Sequence, residues 1–252
     1  MVKIALVLAV IAATASADDS KLAKDGVAVQ AKAVLRGKDK LCCGYPLVQD
    51  YGWALRFYWI SDETTYELPL PPPRPPNWPK TKPPPPAPRV PKVEIYSKEG
   101  WYFAHVLEKF ARDLRLEGSG VMADGRVVNT TGGCKFGYGT CFEALDPVAY
   151  PYGRGSGTRP LIPYKSVAVD QRIIPIGEPL YIPEFDGMVL PDGSVHDGCV
   201  RADDTGGGII RRKMDFFVVG YWNFRFLLEE LANVSWVTPH IQAPRCEYLR
   251  DR

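Results

Sequence analysis

The sequence has little net charge, few histidines and few long hydrophobic runs, and each shortage excludes a class of function. The 31 basic residues nearly balance the 29 acidic ones, for a net charge of +2, which is too mild to indicate a nucleic-acid-binding surface. The three histidines show no metal-ligand spacing with the six cysteines. No segment beyond residue 17 is apolar for long enough to cross a bilayer. We therefore expect neither nucleic acid nor a membrane as a partner, no cofactor, no bound metal, and a monomeric protein.

Repeats and nucleotide-binding loops are also missing. The sequence shows no internal repeat of solenoid period. No glycine-rich phosphate loop follows a predicted strand, and the run at 205–208 is by itself a weak indication of phosphate binding.

The N-terminal residues have the three parts of a secretory signal peptide. Lys3 precedes an apolar run over residues 4–13, and Ala15, Ser16 and Ala17 form a small-residue cleavage site. We predict cleavage after Ala17 and secretion of a soluble, extracellular chain.

An oxidising compartment predicts that the six cysteines form disulfides. Cys134 and Cys141 can close a short loop, and Cys199 would then pair with Cys246 near the C-terminus. The adjacent cysteines at 42–43 would either form a vicinal bridge or break the other pairings. Zinc ligation is the competing explanation.

Composition divides the mature chain into three parts. Residues 18–68 form an N-terminal segment whose aromatic run over 53–60 predicts a β-strand. The aromatics of that run are either core residues or a platform for sugar rings. Residues 69–91 are a proline-rich spacer, which favours polyproline II and cannot enter a sheet interior. Residues 92–252 then form the main domain.

Periodicity and turn chemistry predict several elements within the main domain. Residues 93–96 have the composition of a short strand, and 122–129 that of a hairpin. Apolar spacing predicts a helix over 101–116 and a C-terminal helix within 218–235, each with a buried stripe. The turn-rich excursion between residues 183 and 199 predicts a second hairpin.

Three aspartates stand where packing alone does not require carboxylates, namely Asp170, Asp204 and Asp215. In an extended strand Asp215 shares a face with Phe217 and points away from Met214. An apolar wall on that face would raise the pKa of the carboxyl group, and a glycosidic oxygen needs such an acid as its proton donor. Asp204 precedes a glycine-rich turn, where the backbone can approach a ligand closely.

Each of these aspartates also has a purely structural explanation. Asp204 could close an Asx-turn, Asp170 could end a strand, and Asp215 could be buried in an ion pair with a basic residue of 211–213. Glu117 is a further candidate near the groove, although a solvated carboxylate at a helix end is the commoner use of such a residue.

The motifs around the aspartates resemble the 3D domain, a family named for three aspartates. The motifs are Val-Ala-Val-Asp-x-Arg-x-Ile-Pro-x-Gly from residue 167, Leu-Tyr-Ile-Pro from 180, Ala-Asp-Asp-Thr-Gly-Gly-x-Ile from 202 and Met-Asp-Phe-Phe from 214. The family includes lytic transglycosylases of the membrane-bound A type and stationary-phase survival proteins. The resemblance implies a mainly β protein, a six-stranded double-psi β-barrel with additional strands, one or two helices and a proline-rich insertion.

The resemblance also implies a function and roles for residues. The family aspartates match Asp170, Asp204 and Asp215 as catalytic residues, with Asp215 as the general acid. Asp204 would orient the sugar or tune the pKa of Asp215, and Asp170 would fix the groove. The substrate-binding residues are expected to be Asp203, Thr205, Gly206, Gly207 and Tyr181.

The implied enzyme cleaves a polysaccharide, with peptidoglycan preferred, and forms a 1,6-anhydro sugar without water. One alternative is a barrel-type endo-β-1,4-glucanase that hydrolyses with inversion. Another is an expansin-like protein that binds polysaccharide without cutting it. The excursion at 183–199 and the basic run 211–213 depart from the compact family pattern and would reshape the substrate groove.

Overall fold

The computed structural model describes residues 40–47, 52–66, 88–232 and 234–251, with scattered residues between 76 and 86. The predicted signal peptide and most of the proline-rich spacer lie outside the described residues. Residues 41–252 form one compact unit.

The described residues are mainly β-strand. The strands are β1 (Tyr45–Pro46), β2 (Trp53–Tyr58), β3 (Ser61–Asp62), β4 (Lys92–Tyr96), β5 (Tyr102–Leu107), β6 (Ser119–Val121), β7 (Val127–Gly133), β8 (Thr140–Leu145), β9 (Ser166–Ala168), β10 (Pro179–Val189), β11 (Val195–Asp204), β12 (Lys213–Phe217), β13 (Trp236–Val237) and β14 (His240–Ile241). The α-helices are α1 (Lys40–Cys43), α2 (Glu108–Glu117) and α3 (Tyr221–Glu230).

The strands form two mixed sheets. The first has the order β1-β14-β10-β11-β9-β12-β2-β13, and the second the order β3-β6-β7-β8-β4-β5. In the first sheet β9 pairs in parallel with β11 and antiparallel with β12, while β12 pairs in parallel with β2. The expected mainly β, barrel-type class is confirmed, with β9 at the centre of the first sheet.

The two faces of β12 belong to different parts of the core. Met214 and Phe216 are fully buried in the main cluster, which also contains Val167 of β9. Phe217 packs on the other face in a smaller cluster with Ala168. The predicted alternation of β12 is therefore confirmed, and it leaves Asp215 on the face of Phe217. Burial of each large apolar side chain contributes on the order of 2 kcal/mol to folding.

The aromatic strand predicted at 53–60 is β2, and it is a member of the first sheet. It pairs with β12 over all five residues of that strand, from Ala54–Lys213 to Tyr58–Phe217. Trp53 is almost completely buried in the main core cluster. The core explanation is confirmed for this ring.

Two of the predicted hairpins are confirmed. The excursion at 183–199 belongs to the antiparallel pair β10 and β11, which contains two register shifts. The 122–129 segment belongs to the hairpin of β6 and β7.

The prediction of one helix over 101–116 is wrong in its first half. Residues 102–107 form β5, which pairs with β4 along its length, and only Glu108–Glu117 is helical. The strand is favoured because pairing with β4 satisfies its backbone hydrogen bonds, a tertiary effect that helical periodicity cannot register. Phe110 and Leu114 of α2 are fully buried, as the stripe predicts. The C-terminal helix is shorter than its 218–235 window, ending at Glu230.

Three disulfides join the six cysteines. Cys134 pairs with Cys141 and Cys199 with Cys246, as predicted, and the adjacent cysteines at 42–43 form a vicinal bridge. Cys199 and Cys246 are fully buried in a cluster that also contains Tyr181. The bridge ties β11 to the C-terminal residues and shortens the loops available to the unfolded chain.

No helix in the described part of the chain combines the length and hydropathy that a membrane span requires.

A buried ion pair anchors β11 to the C-terminal end. Arg201 and Asp203 both have fully buried side chains, and the guanidinium Nε donates to Asp203 Oδ1. Asp203 also accepts a hydrogen bond from Ser166 Oγ of β9, and Arg201 Nη1 donates to the carbonyl oxygen of Leu249 at 2.6 Å. The pair therefore connects three segments that are distant in sequence.

We predict that Asp203→Asn lowers the free energy of unfolding by about 3–5 kcal/mol, because it leaves the Arg201 guanidinium buried without a counter-charge. Urea denaturation at pH 7 would measure this. Asp192→Asn, in the exposed turn between β10 and β11, is the matched control and should cost about 1 kcal/mol or less. Equal midpoints for both variants would contradict a structural role of the ion pair.

Candidate active site

The register of β9 brings two of the predicted aspartates together. Ala168 is the register partner of Asp204 on β11 and of Asp215 on β12. Since adjacent strands lie about 4.8 Å apart, the two aspartates are separated by about 10 Å across one intervening strand. The β9–β11 ladder shifts register between Ala202 and Asp204, just before the first of these positions. The charges of both aspartates raise the pKa of the Tyr58 hydroxyl, so both carboxylates act on the same region of the structure.

Asp204 is a desolvated carboxylate at the end of β11. Burial raises its pKa to about 6, and the nearby charge of Asp203 adds to the rise. Its Oδ1 accepts the backbone N–H of Thr205 at 2.8 Å, which opposes the shift. This bond is to the next residue along the chain, whereas an Asx-turn bonds the N–H two residues on, so the predicted Asx-turn contact is not the one observed.

Asp215 carries an ion pair that the sequence did not reveal. Burial raises the pKa of its carboxyl group, while the guanidinium of Arg56 and the charge of Lys213 hold the rise in check. Arg56 is the register partner of Asp215 on β2, and its Nε donates a hydrogen bond to Asp215 Oδ1 at 2.9 Å. The expected structural partner within 211–213 is thus corrected to Arg56. The two residues are 159 positions apart, so no local pattern indicates the pair.

Glu117 is a third carboxylate with a raised pKa. Burial raises its pKa to about 7, and the charges of Asp113 and Asp215 add to the effect. Its Oε2 accepts the backbone N–H of Trp59 at 3.2 Å. Glu117 is the last residue of α2, where the negative end of the helix dipole also disfavours a carboxylate. The solvated helix-end interpretation is therefore wrong for this residue.

The buried hydroxyl group of Tyr58 lies in the electrostatic field of these carboxylates. The side chain is 7% exposed, and the hydroxyl oxygen has no hydrogen-bond partner among the described residues. Burial and the charges of Asp204, Asp203, Asp215 and Glu117 all raise its pKa well above the usual value. Its ring packs on Phe217, with centroids 5.2 Å apart, so that it is unavailable as a sugar platform. A buried hydroxyl without a partner is uncommon and marks the space beside it as a place for a ligand or water.

A polar cleft of about 350 Å³ opens beside Asp204, between elements of the two sheets. Its lining residues are Arg115, Leu116, Glu117, Gly118, Ser119, Asn129, Thr130, Arg154, Gly155, Ser156, Asp204, Thr205, Gly206 and Gly207. Gly155 must be glycine, because a Cβ there would lie 2.3 Å from the carbonyl oxygen of Asp203. Gly207 has open space where its Cβ would be, so the turn after β11 presents bare backbone to the cleft. The hydroxyl groups of Thr205 and Ser156 form a hydrogen bond, with their oxygens 2.8 Å apart. This bond stabilises the side of the cleft that the turn after β11 forms.

Asp170 connects the segments that carry the other two aspartates. Its Oδ2 accepts the backbone N–H of Arg211 at 2.7 Å, within the loop that joins β11 to β12. Arg172 pairs with both carboxylate oxygens, at 2.8 and 2.6 Å, and holds the pKa of Asp170 well below its usual range. Arg211 has a left-handed φ of 59°, a conformation that this hydrogen bond supports. Asp170 therefore remains ionised and holds the loop.

Two expected substrate-binding residues do not line the cleft. Asp203 is completely buried and uses both carboxylate oxygens for Arg201 and Ser166. Tyr181 is 8% exposed, donates its hydroxyl to Asp186 at 2.8 Å, and lies in the cluster of the buried disulfide. Their contacts are structural, which revises the binding roles implied by the resemblance.

Within the described residues, no group of three or more His, Cys, Asp and Glu side chains is arranged to hold a metal ion.

Residues 165–220 match the family model of the 3D domain. The resemblance inferred from the aspartate motifs is therefore confirmed over this segment, which contains all three aspartates. No curated protein matches the chain.

Several solved structures of lytic transglycosylases resemble the fold at a distance. The chain is similar to E. coli MltA with bound chitohexaose, at 15% identity and a TM-score of 0.42 over 68% of this chain and 66% of that chain. It is also similar to a membrane-bound lytic murein transglycosylase from Agrobacterium tumefaciens, at 16% identity and a TM-score of 0.41, over 80% of this chain and 75% of that chain. The chain is likewise similar to LtgG, a lytic transglycosylase of Burkholderia pseudomallei, at 15% identity and a TM-score of 0.36, over 75% of this chain and 70% of that chain. At this distance, the activity of the chain must be argued from its own residues.

We predict that Glu117 makes stability depend on pH in a definite direction. Because its folded pKa of about 7 exceeds the unfolded value near 4.5, its contribution is fully present below pH 4.5 and is lost as pH rises through 7. Glu117→Gln should therefore gain up to about 3 kcal/mol relative to wild type between pH 4.5 and 8.5. Urea denaturation across this range would measure the difference.

The matched control is Glu108→Gln, at the exposed first turn of the same helix. Its stability difference from wild type should change little over the same range. A flat difference for Glu117→Gln would contradict the desolvated environment of this carboxylate.

Proposed function

We propose that this protein is a secreted enzyme that cleaves a β-1,4-linked glycan, with peptidoglycan as the preferred substrate. The observation that carries the proposal is the arrangement of Asp204, Asp215 and Glu117. All three carboxyl groups have pKa values raised by burial, and the first two are both register partners of Ala168. Asp204 and Glu117 line the polar cleft, whereas Asp215 is not among its lining residues. Carboxyl groups with raised pKa values suit proton donation to a glycosidic oxygen near neutral pH.

Asp215 is the proposed general acid. Its side chain is 15% exposed, which leaves it accessible to substrate, and the Arg56 ion pair orients the carboxyl group. In the protonated form it donates its proton to the bridging oxygen, and the bond from that oxygen to the sugar C1 breaks. The resulting carboxylate takes the proton of the C6 hydroxyl as the C6 oxygen attacks C1 of the same sugar. The products are a free hydroxyl and a 1,6-anhydro end, and the proton returns to Asp215.

The other residues have positioning roles in this proposal. Asp204, with the backbone of Thr205, Gly206 and Gly207, orients the sugar in the cleft. Asp170 fixes the loop between β11 and β12 through Arg211. The match of residues 165–220 to the 3D domain supports these assignments, because this segment contains Asp170, Asp204 and Asp215.

We predict that Asp215→Asn abolishes cleavage, with at least a thousandfold loss in rate, because the amide cannot donate the required proton. Mass spectrometry of soluble fragments from peptidoglycan sacculi would measure this. Anhydro-muramic ends should come from wild type and from the Asp192→Asn control, but not from Asp215→Asn. Undiminished cleavage by Asp215→Asn would contradict the assignment of the acid.

We predict a pH shift that tests the acid without removing it. Arg56→Gln takes away a positive charge that holds down the pKa of Asp215, so the basic limb of the kcat/KM profile should move up by about one pH unit. Arg126→Gln, which breaks the exposed pair with Asp124, is the matched control and should leave the profile in place. An unmoved limb in Arg56→Gln would assign the limb to another group.

Glu117 favours a second candidate function, inverting hydrolysis, because that reaction needs another carboxylate to activate water. Its pKa of about 7 and its interaction with Asp215 suit such a base. Cleavage in ¹⁸O-labelled water separates the candidates, since only hydrolysis places the label at the new reducing end. Loss of labelled product in Glu117→Gln would establish the hydrolase. Binding of glycan without any cleavage would favour the expansin-like alternative.

A further inference from the structure

An array of aromatic rings runs from the inside of the protein to its surface at α3. The Trp59 ring is stacked on Phe224, with centroids 5.3 Å apart and an interplanar angle of 25°. Tyr221 meets Trp59 edge-on at 6.0 Å, and Trp222 meets Tyr221 at 5.5 Å. Tyr221 is 48% exposed and Trp222 is 79% exposed. The outer rings therefore project into solvent from a rigid aromatic base.

A hydrogen bond joins the array to the candidate active site. The backbone N–H of Trp59 donates to Glu117, which lines the cleft. Trp59 directly follows Tyr58, whose hydroxyl lies in the field of the carboxylates. Tyr221 and Trp222 do not line the cleft itself, so they would contact only a ligand that extends beyond Glu117 toward α3.

A tight turn holds the base of the array in place. The Gly220 N–H donates to the carbonyl oxygen of Val218 at 2.8 Å, which forces Val219 to a φ of 69°. A β-branched residue with this φ is strained and persists only when its surroundings require it. The Val219 carbonyl oxygen accepts the Ile60 N–H at 3.1 Å. This bond ties the start of α3 to the segment that carries Trp59.

The composition of the exposed face indicates the chemistry of its ligand. Trp222 and Phe226 lie one turn apart, and Arg225 and Glu229 lie on the same exposed side of α3. A lipid bilayer or an apolar protein partner favours a continuous apolar surface. Rings interleaved with charged groups suit a sugar chain, which presents C–H faces for stacking and hydroxyls for hydrogen bonds.

We propose that Tyr221 and Trp222 form a sugar-stacking subsite that extends the cleft along α3 and binds a pyranose unit of a long β-1,4-linked glycan. This subsite rests on the proposed function for its position at the end of a substrate-binding cleft. It concerns binding of the chain beyond the reacting bond, so it is separable from the chemistry of Asp215.

The test measures binding without cleavage. The parent protein for this test is the Asp215→Asn variant. The parent and a second variant that also carries Trp222→Ala are titrated with chitohexaose and with chitobiose by isothermal titration calorimetry. We expect Trp222→Ala to weaken chitohexaose binding about threefold to tenfold, the range expected for loss of one ring contact. Chitobiose binding should be unchanged, because a disaccharide in the cleft does not extend to α3. Trp222→Phe should retain part of the affinity.

The matched control is Trp101→Ala, which removes another solvent-exposed tryptophan, 74% exposed, from the turn between β4 and β5 of the second sheet. It should leave both affinities unchanged. Equal chitohexaose affinity in Trp222→Ala and in its parent would overturn the subsite, as would an equal loss in Trp101→Ala. Failure of the parent to bind chitohexaose would also overturn it.

Cleavage assays on the proteins with native Asp215 keep the two proposals apart. Fragments from sacculi together with unaltered chitohexaose binding by Trp222→Ala would overturn the subsite and leave the proposed function standing. Length-dependent binding lost in Trp222→Ala, without cleavage by wild type, would sustain the subsite and overturn the enzyme. Sedimentation velocity supplies a further arm: dimers that Trp222→Ala dissociates would make this face a self-association surface and overturn the proposal.

Discussion

The position of the short strand β9 between β11 and β12 is the constraint on which the site depends. Its three residues are fully buried, and its register sets Ala168 between Asp204 and Asp215. Because both faces of the strand are buried, a slip by one residue would exchange Val167 and Ala168 between two differently packed clusters. The spacing of the two carboxylates is therefore a property of the core, and it does not depend on flexible loops.

The acidic residues around β9 fall into two groups with opposite electrostatic settings. Asp170 and Asp203 are paired with arginines and hold backbone segments together. Asp204 and Glu117 have no ion pair described and accept backbone N–H groups, so that burial governs their pKa values. Asp215 lies between these cases, because burial raises its pKa and Arg56 limits the rise. The region around the candidate site thus combines carboxylates that stabilise the fold with carboxylates that can exchange protons near neutral pH.

The cleft lies between elements of the two sheets. One wall is the glycine-rich turn after β11, where backbone is exposed, and the other includes the end of α2 and the start of β6. Phe110 and Leu114 pack α2 against the core cluster of the second sheet, and this packing positions Glu117 at the cleft. The hydroxyl of Tyr58 is buried without a hydrogen-bond partner among the described residues, and the charges of Asp204 and Glu117, which line the cleft, act on it.

The sequence by itself indicated several strands through alternation and turn residues, and its aspartate motifs carried the resemblance that implied the mainly β class. It suggested the pairs Cys134–Cys141 and Cys199–Cys246 but left the pairing of the adjacent cysteines open. Only the tertiary structure decided the partners. Parallel pairing of β2 with β12 places Arg56 beside Asp215, although the two residues are 159 positions apart in sequence. Residues 102–107, predicted as helix, form a strand because they pair with β4. The burial that raises the pKa of Glu117 likewise comes from packing against distant segments. Desolvation and ion pairing depend on which segments meet in space, and that information is absent from any single stretch of the chain.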